Sequence, residues 1–127
     1  MADVITGLPR KNRGSIGTAI VKVFDLAAAS TGFSDRAVQG LGYKHAVVHT
    51  TGKDHASYYP GATEIVLKLI FSPTDGKIFG AQAVGKKVID KSIDVLARAI
   101  KDGLTFFDLQ ELELTYAPPF GSAKDPV

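Results

Sequence analysis

The chain has 127 residues, of which 45% are hydrophobic and 22% are charged. These values fit a single globular domain and are not those of a disordered chain. The formal net charge is only +2, and the 15 basic and 13 acidic residues are spread along the sequence, so no nucleic-acid-binding surface is expected. There is no cysteine, which excludes disulfides, thiolate metal sites and a cysteine nucleophile from this chain.

The N-terminal part of the sequence carries no recognisable targeting signal. It lacks the charged start, apolar middle and cleavage site of a secretory signal, and no apolar run approaches the roughly 20 residues of a membrane helix. We therefore expect a cytoplasmic protein that does not bind membranes. Residues 1–13, with glycine, proline and basic side chains, are predicted to be a linker, and residues 14–127 to form one domain.

The first predicted elements are a strand and a short helix. The run TAIVKVF, Thr18 to Phe24, is β-branched and aromatic, and the small-residue stretch LAAASTG after it is interpreted as the strand running into a turn. Ser34 has the chemistry of an N-cap, and Gly42 is suited to ending a helix. The pattern predicts a helix over Asp35 to Leu41.

The middle of the chain predicts three more strands. His45 to Gly52 is the second predicted strand, and a loop over Lys53 to Gly61 follows it. Thr63 to Ser72 alternates apolar side chains on one face and is the third strand. The turn residues Pro73 to Gly76 then predict a hairpin, with KIFGAQAVG as the returning strand.

The last predicted elements are helices. Four apolar residues fall on one helical face and predict a helix that packs on the sheet: Ile89, Ile93, Leu96 and Ile100. Gly103 ends that helix, and a second short helix is predicted over Phe106 to Leu114. This order of elements predicts an α+β fold with a largely antiparallel β-sheet packed with helices on one side.

The residues offer no complete catalytic or metal site. Gly76, Gly80 and Gly85 lack the GxGxxG spacing of a phosphate-binding loop, so nucleotide binding by this chain alone is not expected. His45 and His49 are four residues apart but have no acidic or cysteine partner nearby in sequence, and we interpret them as structural or exposed. No metal site is predicted.

Two tyrosine-bearing segments are unusual. Tyr58 and Tyr59 precede Pro60 in the predicted loop, and Tyr116 precedes Ala-Pro-Pro-Phe near the end of the chain. A tyrosine combines a flat apolar body with a hydroxyl donor, which suits an interface or a pocket lining. The residues alone leave open the alternative that each ring packs on a neighbouring loop.

Four blocks of the sequence carry a family resemblance. They are GSIGTAIVKVFDLAAASTGFS, HASYYPGATEIVLKLIFSPTDGKIFGAQAVG, KVIDKSIDVLARAIKDG and LTYAPPFGSAKDPV. In this order they resemble the C-terminal dimerisation domain of FAD-dependent pyridine nucleotide-disulfide oxidoreductases. The motifs TYAPPF and HASYYPG are similar to the branch of coenzyme A-disulfide reductases and NADH oxidases or peroxidases. The resemblance covers residues 14–127.

The resemblance implies a fragment of a larger flavoenzyme. FAD- and NAD(P)H-binding domains would precede this chain, residues 1–13 would be the linker from them, and residues 14–127 would form the dimerisation domain of a homodimer. The redox-active cysteine of the family lies in the FAD domain, which agrees with the absence of cysteine here. The isolated fragment is expected to be inactive and to bind no cofactor.

The resemblance also implies roles for the tyrosines. Tyr116 and one of Tyr58 and Tyr59, with Tyr58 preferred, would act in the active site of the partner subunit. There a phenol hydrogen-bonds or protonates a leaving thiolate during thiol–disulfide exchange. Tyr116 and Ala117 would also lie near the FAD of the partner subunit.

One departure separates this sequence from the glutathione-reductase and lipoamide-dehydrogenase branch. That branch uses a histidine and a nearby glutamate, but Tyr116 stands in the place of the histidine and no glutamate follows it. The resemblance therefore favours a single-cysteine mechanism on a small substrate: coenzyme A disulfide, a persulfide, peroxide or oxygen. The alternatives are the same domain of an NADH oxidase or peroxidase, and a free-standing non-catalytic binding or scaffold module.

Overall fold

The computed structural model describes residues 13–127 together with Ile5, Gly7 and Lys11, so most of the predicted linker lies outside the described residues. The described part forms a five-stranded sheet in the order β1-β2-β5-β4-β3, with every neighbouring pair antiparallel. Its strands are β1 (Ala19–Val23), β2 (Leu26–Gly32), β3 (Ala46–Lys53), β4 (Glu64–Phe71) and β5 (Ile78–Gly85). Its helices are α1 (Asp35–Gly40), α2 (Ile89–Asp102) and α3 (Phe106–Leu109). The predicted α+β fold with a largely antiparallel sheet is confirmed.

Strand β2 is the main feature that the sequence did not predict. The sequence predicts one strand that runs into a turn in the stretch LAAASTG, and this prediction is wrong, because the stretch forms all of β2 and the turn lies earlier, at Phe24 and Asp25. β2 pairs with β1 on one side and with β5 on the other, where Ala29 lies opposite Ala83. Both alanines are buried in the core that contains α2. Tertiary packing thus outweighs the weak strand propensity of alanine.

Helix α2 supplies the core-facing stripe that its sequence predicted. Ile89, Ile93 and Leu96 are buried against the sheet, and Ile100 packs at the edge of the same core. Gly103 ends the helix at a positive φ of 73°, and its N–H donates to the carbonyls of the last turn. The predicted helix and its end are confirmed.

Helix α1 lies beside the opposite face of the sheet, so the prediction that the helices pack on one side holds for α2 but not for α1. The Ser34 side chain accepts a hydrogen bond from the Ala37 N–H, so the predicted N-cap is confirmed. Val38 of this helix is buried. Ile70 of β4 is also buried, on the face of the sheet opposite the main core. The Asp35 carboxylate contacts Lys68 Nζ at 3.4 Å, which ties the start of α1 to β4.

His45 also contacts the first residue of α1. Its Nε2 lies 2.6 Å from Asp35 Oδ1, and its Nδ1 lies 3.1 Å from the carbonyl oxygen of Tyr43. His49 is exposed on β3. The interpretation of these two histidines as structural or exposed is therefore confirmed.

The hairpin between β4 and β5 matches its prediction, but α3 is shorter than predicted. The Gly76 N–H donates to the Ser72 carbonyl at 2.9 Å and closes the turn. α3 begins in a capping box between Thr105 and Asp108, and it ends at Leu109 instead of Leu114. Residues 110–112 donate to carbonyls three residues back, which makes turns and not a continued α-helix.

The described helices have no transmembrane character. None of them has the length and apolar content needed to cross a membrane.

Gly80 is a position where the close approach of two segments requires glycine. A Cβ at Gly80 would overlap the Phe33 carbonyl oxygen, a backbone atom that cannot rotate away. We expect Gly80→Ala to lower the free energy of unfolding by about 1–3 kcal/mol in urea titrations. Gly40→Ala is the control, because a Cβ there meets no atom within 4 Å and alanine favours helix. Equal losses in the two variants would contradict this packing.

The His45 contacts make stability depend on pH. Its hydrogen bond to the Tyr43 carbonyl, followed by that to Asp35, raises the pKa of His45 above 6.5. A raised pKa stabilises the fold below the unfolded-state pKa, and this contribution disappears as pH rises through the folded-state pKa. We expect His45→Gln to lower the free energy of unfolding at about pH 5.5 and to have a smaller effect at about pH 9. His49→Gln, at an exposed position, is expected to show no such difference between the two pH values.

Candidate active-site surface

Two loops lie side by side at one end of the sheet. One is the loop at 54–63, which joins β3 to β4, and the other is the segment at 115–121. The Ala56 N–H donates to the Pro118 carbonyl at 3.2 Å and joins the two loops. Next to this bond, the hydroxyl oxygens of Tyr58 and Tyr116 lie 3.4 Å apart. The fold thus brings together two of the predicted site residues, which are 58 positions apart in the sequence.

The two adjacent tyrosines of the first loop have different surroundings. The Tyr59 ring packs edge-on against the His55 ring, with 5.8 Å between ring centres. Tyr58 contacts Tyr116 instead, and its side chain is exposed. Of the two residues that the sequence left open, Tyr58 is therefore the one that meets Tyr116. We call Tyr58 and Tyr116 the tyrosine pair.

Asp54 and Thr63 close the neck of the first loop. The Asp54 N–H donates to the Thr63 carbonyl at 3.0 Å. In return, the Thr63 N–H and hydroxyl donate to the two carboxylate oxygens of Asp54 at 2.7 and 3.0 Å. Only 2% of Asp54 is exposed, so this neck lies inside the protein.

His55 forms a second buried layer beneath the loop. Its Nδ1 lies 3.0 Å from Asp54 Oδ1, and its Nε2 lies 3.3 Å from the Pro60 carbonyl oxygen. Sequence reasoning missed Asp54, His55 and Thr63. The available signal was an acidic residue and a threonine that bracket the segment HASYYPGA, but hydrogen-bonding residues at the ends of a loop are too common to single out a site.

Hydrogen bonds fix the second loop and the tail that follows it. The Ala117 carbonyl accepts hydrogen bonds from the Phe120 and Gly121 N–H groups at 2.8 and 3.0 Å, which makes a tight turn. Further along, the Pro126 carbonyl accepts from the Thr50 hydroxyl on β3 at 3.2 Å. Tyr116 is therefore carried by an anchored turn and not by a free arm.

The two loops also set the protonation of their groups. The hydrogen bond with Tyr116 raises the pKa of Tyr58 above 10, and partial burial and repulsion from the Tyr116 charge act in the same direction. Burial pushes the pKa of Asp54 up, but hydrogen bonds from Thr63 and the contact with His55 outweigh it and leave this pKa below 3.8. At neutral pH the Tyr58 phenol keeps its proton, and the Asp54 carboxylate is ionised.

The surface around the tyrosine pair offers flat aromatic faces and hydroxyl groups. Phe120 and Tyr58 are each 74% exposed, and Tyr116 is 53% exposed. Such a surface fits the edge of a planar ring or a small polar group, whereas a diphosphate needs a glycine-rich loop that this sequence lacks. Among the described residues, no group of three or more histidine, aspartate or glutamate side chains is placed to bind a metal ion.

The comparison with protein families decides what this domain is. Residues 18–125 match the model of the pyridine nucleotide-disulphide oxidoreductase dimerisation domain. The chain belongs to this family. The dimerisation-domain fold that the sequence blocks implied is thereby confirmed.

Relatives of known identity share most of this domain. The chain is 40% identical over 113 residues to a coenzyme A disulfide reductase of Staphylococcus aureus (strain bovine RF122 / ET3-1), covering 89% of this chain and 25% of that protein. It matches reduced CoADR-RHD of Bacillus anthracis with a TM-score of 0.94 and 48% identity. It matches an NAD-dependent persulfide reductase from A. fulgidus with a TM-score of 0.92 and 43% identity. Both structural matches cover 98% of this chain and 23% of the other chain.

The relatives are much longer than this chain. The chain spans about a quarter of the length of the curated relatives it matches. In this chain, residues 18–125, which match the family model, contain the sheet, both loops and the tyrosine pair.

The contact within the tyrosine pair can be read from the titration of Tyr58. Because the hydrogen bond with Tyr116 is the largest cause of the raised pKa, we expect Tyr116→Phe to bring the pKa of Tyr58 back toward 10. The measurement is an NMR pH titration of the chain labelled with carbon-13 at the tyrosine ring, with the Tyr58 signal assigned from Tyr58→Phe. Tyr59→Phe is the matched control, since Tyr59 packs on His55. A Tyr58 titration that is the same with and without the Tyr116 hydroxyl would rule out the contact.

Proposed function

We propose that this chain is the dimerisation domain of an NAD(P)H- and FAD-dependent disulfide oxidoreductase similar to coenzyme A disulfide reductase. Upstream domains of the same parent chain would bind FAD and NAD(P)H, with residues 1–13 as the linker. The domain would form a homodimer in which Tyr58 and Tyr116 act in the active site of the partner subunit. The observation that carries this proposal is the exposed tyrosine pair, whose hydroxyls lie 3.4 Å apart on adjacent loops.

Three features of the chain support the proposal that other domains bind the cofactors and supply the thiol. The sequence has no cysteine, so the thiol of a disulfide reductase has to come from another part of the protein. It spans only a quarter of its relatives, which leaves room for the cofactor domains. The aromatic groups of Tyr58, Tyr116 and Phe120 are exposed together, which is typical of a surface that another surface covers.

The chemistry of a phenol favours hydrogen-bond donation over full proton transfer. In thiol–disulfide exchange a thiolate attacks one sulfur, the S–S bond breaks, and the other sulfur leaves with the electron pair as a thiolate. An ordinary thiol has a pKa about 1.5 units below that of a phenol, so moving the proton from tyrosine to the leaving thiolate costs about 2 kcal/mol. The raised pKa of Tyr58 increases this cost. The tyrosine pair would therefore stabilise the thiolate by donating hydrogen bonds to it.

The cofactor would lie next to the second loop. FAD, when bound by the partner subunit, supplies the electrons that originate from NAD(P)H. Tyr116 and Ala117 are the residues of this chain that would approach its ring edge. The turn closed by the Ala117 carbonyl, together with Pro118 and Pro119, holds this segment rigid.

The names of the relatives favour two small substrates. Coenzyme A disulfide is favoured by the matches to coenzyme A disulfide reductases at 40% identity. A persulfide is the second candidate, because the chain is 43% identical to an NAD-dependent persulfide reductase. Both substrates release a sulfur anion when a sulfur–sulfur bond breaks, so the same pair of donors suits either one.

A chimeric enzyme tests the proposal. Residues 18–125 would replace the matching segment of the Staphylococcus aureus coenzyme A disulfide reductase, and NAD(P)H oxidation would be measured with coenzyme A disulfide and with a persulfide. We expect the chimera to be active and Tyr116→Phe to lower kcat by about tenfold or more, because it removes one donor to the leaving thiolate. FAD content and dimer mass are expected to stay unchanged.

Tyr43→Phe is the matched control, because Tyr43 packs on Phe79, away from the two loops, and is expected to leave kcat unchanged. A dimeric, FAD-loaded chimera in which Tyr116→Phe turns over normally would remove the tyrosine pair from the proposal. A dimeric, FAD-loaded chimera with no activity toward either substrate would contradict the proposed reaction.

A further inference from the structure

The loop that carries Tyr58 is built around a buried charge. Three hydrogen bonds join Asp54 to Thr63 at its neck, and the Asp54 side chain is fully enclosed. Burying an ionised carboxylate is costly unless it is paired and hydrogen-bonded. A loop of ten residues can be closed by neutral turn residues, so this neck is a costlier solution than closing the loop requires.

His55 connects Asp54 to the outer part of the loop. Its two ring nitrogens both face acceptor oxygens, one on the Asp54 carboxylate and one on the Pro60 carbonyl. The ring thus lies between these two oxygens and links them. The Tyr59 ring packs edge-on against the same imidazole. The imidazole therefore contacts residues that lie before and after Tyr58 in the sequence.

The remaining contacts connect this inner layer to the tyrosine pair. The Tyr59 N–H donates to the Ala56 carbonyl at 2.9 Å, which makes the turn that points Tyr58 outward. The Ala56 N–H in turn donates to the Pro118 carbonyl of the second loop. The continuous path from Asp54 through His55 and this turn ends at the Tyr58 hydroxyl, 3.4 Å from that of Tyr116.

We propose that Asp54 and His55 are positioning residues that hold the Tyr58 hydroxyl within hydrogen-bonding distance of Tyr116. They touch neither substrate nor cofactor and act through the loop. The geometric part concerns the chain alone, whereas its consequence for turnover rests on the proposed function. The buried contact between Asp54 and His55 fixes one orientation of the loop, which suits a site whose two donors come from separate segments.

The test uses the 127-residue chain labelled with carbon-13 tyrosine and follows the titration of Tyr58 by NMR. Asp54→Asn keeps the shape of the side chain and removes its charge, and His55→Gln removes one of the two ring contacts. In both variants we expect the Tyr58 midpoint to shift to the value found in Tyr116→Phe. Circular dichroism at each pH verifies that the chain stays folded during the titration.

Thr63 provides a milder variant with a rescue. Thr63→Val removes one of the three neck hydrogen bonds, and we expect it to shift the Tyr58 midpoint part of the way. Thr63→Ser keeps the hydroxyl and is expected to restore the original midpoint. His49→Gln, an exposed histidine on β3, is expected to leave the midpoint unchanged.

The outcomes separate positioning from simple stabilisation. If the folded Asp54, His55 and Thr63→Val variants lose thermal stability but keep the Tyr58 midpoint of the original chain, the proposal is overturned. In the chimeric enzyme, Asp54→Asn is expected to lower kcat, and the combination with Tyr116→Phe to lower it no further than Tyr116→Phe alone. A normal NMR result with an inactive chimera would instead count against the proposed function.

Discussion

The pairing of β2 with β5 is the constraint on which the rest of the fold depends. β5 lies at the centre of the sheet and joins the β1–β2 hairpin to the β3–β4 hairpin. Its Ala83 lies opposite Ala29 of β2, and these small side chains leave space for α2 to lie directly on the two strands. Larger side chains at Ala29 or Ala83 would push the helix outward and uncover the isoleucines and leucine of its inner face.

The two loops of the candidate site are held together by this same arrangement. The β3–β4 pairing ends at Lys53 and Glu64, which places the neck of the first loop immediately beyond the sheet. After α3 the chain turns back, and its last residues contact β3 through Thr50 and Pro126. The second loop therefore has to pass the first, and the Ala56–Pro118 hydrogen bond forms where they meet. The distance between the two phenols follows from strand pairing at one end and the returning chain at the other.

The sequence predicted those parts of the structure that have strong local signals. The hairpin turn at Pro73 to Gly76 and the apolar stripe of α2 each depend on a repeated spacing of residues three or four positions apart or less. β2 was missed because an alanine-rich run has no hydrophobic alternation, and its strand conformation is imposed by two neighbouring strands. Similarly, α3 ends early because its capping box fixes only the first turn.

The candidate site, too, was predicted only where the sequence has a local signal. Tyr58 and Tyr116 were found from their motifs, but their contact spans 58 positions and no local pattern encodes it. The choice between Tyr58 and Tyr59 depended on which ring packs on His55, a residue that sequence reasoning had not connected with the site. Asp54 and Thr63 form their neck only in one loop conformation, and hydrogen-bond geometry of this kind cannot be read from residue types.

A pair of phenols differs chemically from an imidazole. An imidazole changes its protonation near neutral pH and serves as acid and base in turn. A phenol whose pKa lies above 10 remains protonated throughout that range, so it donates hydrogen bonds but does not shuttle protons. In the proposed site, the hydroxyls of Tyr58 and Tyr116, which lie 3.4 Å apart, would both donate hydrogen bonds to one small anionic atom. Such a surface suits a leaving group that is stable as an anion at neutral pH, as a thiolate is, and is poorly suited to an alkoxide or an amine.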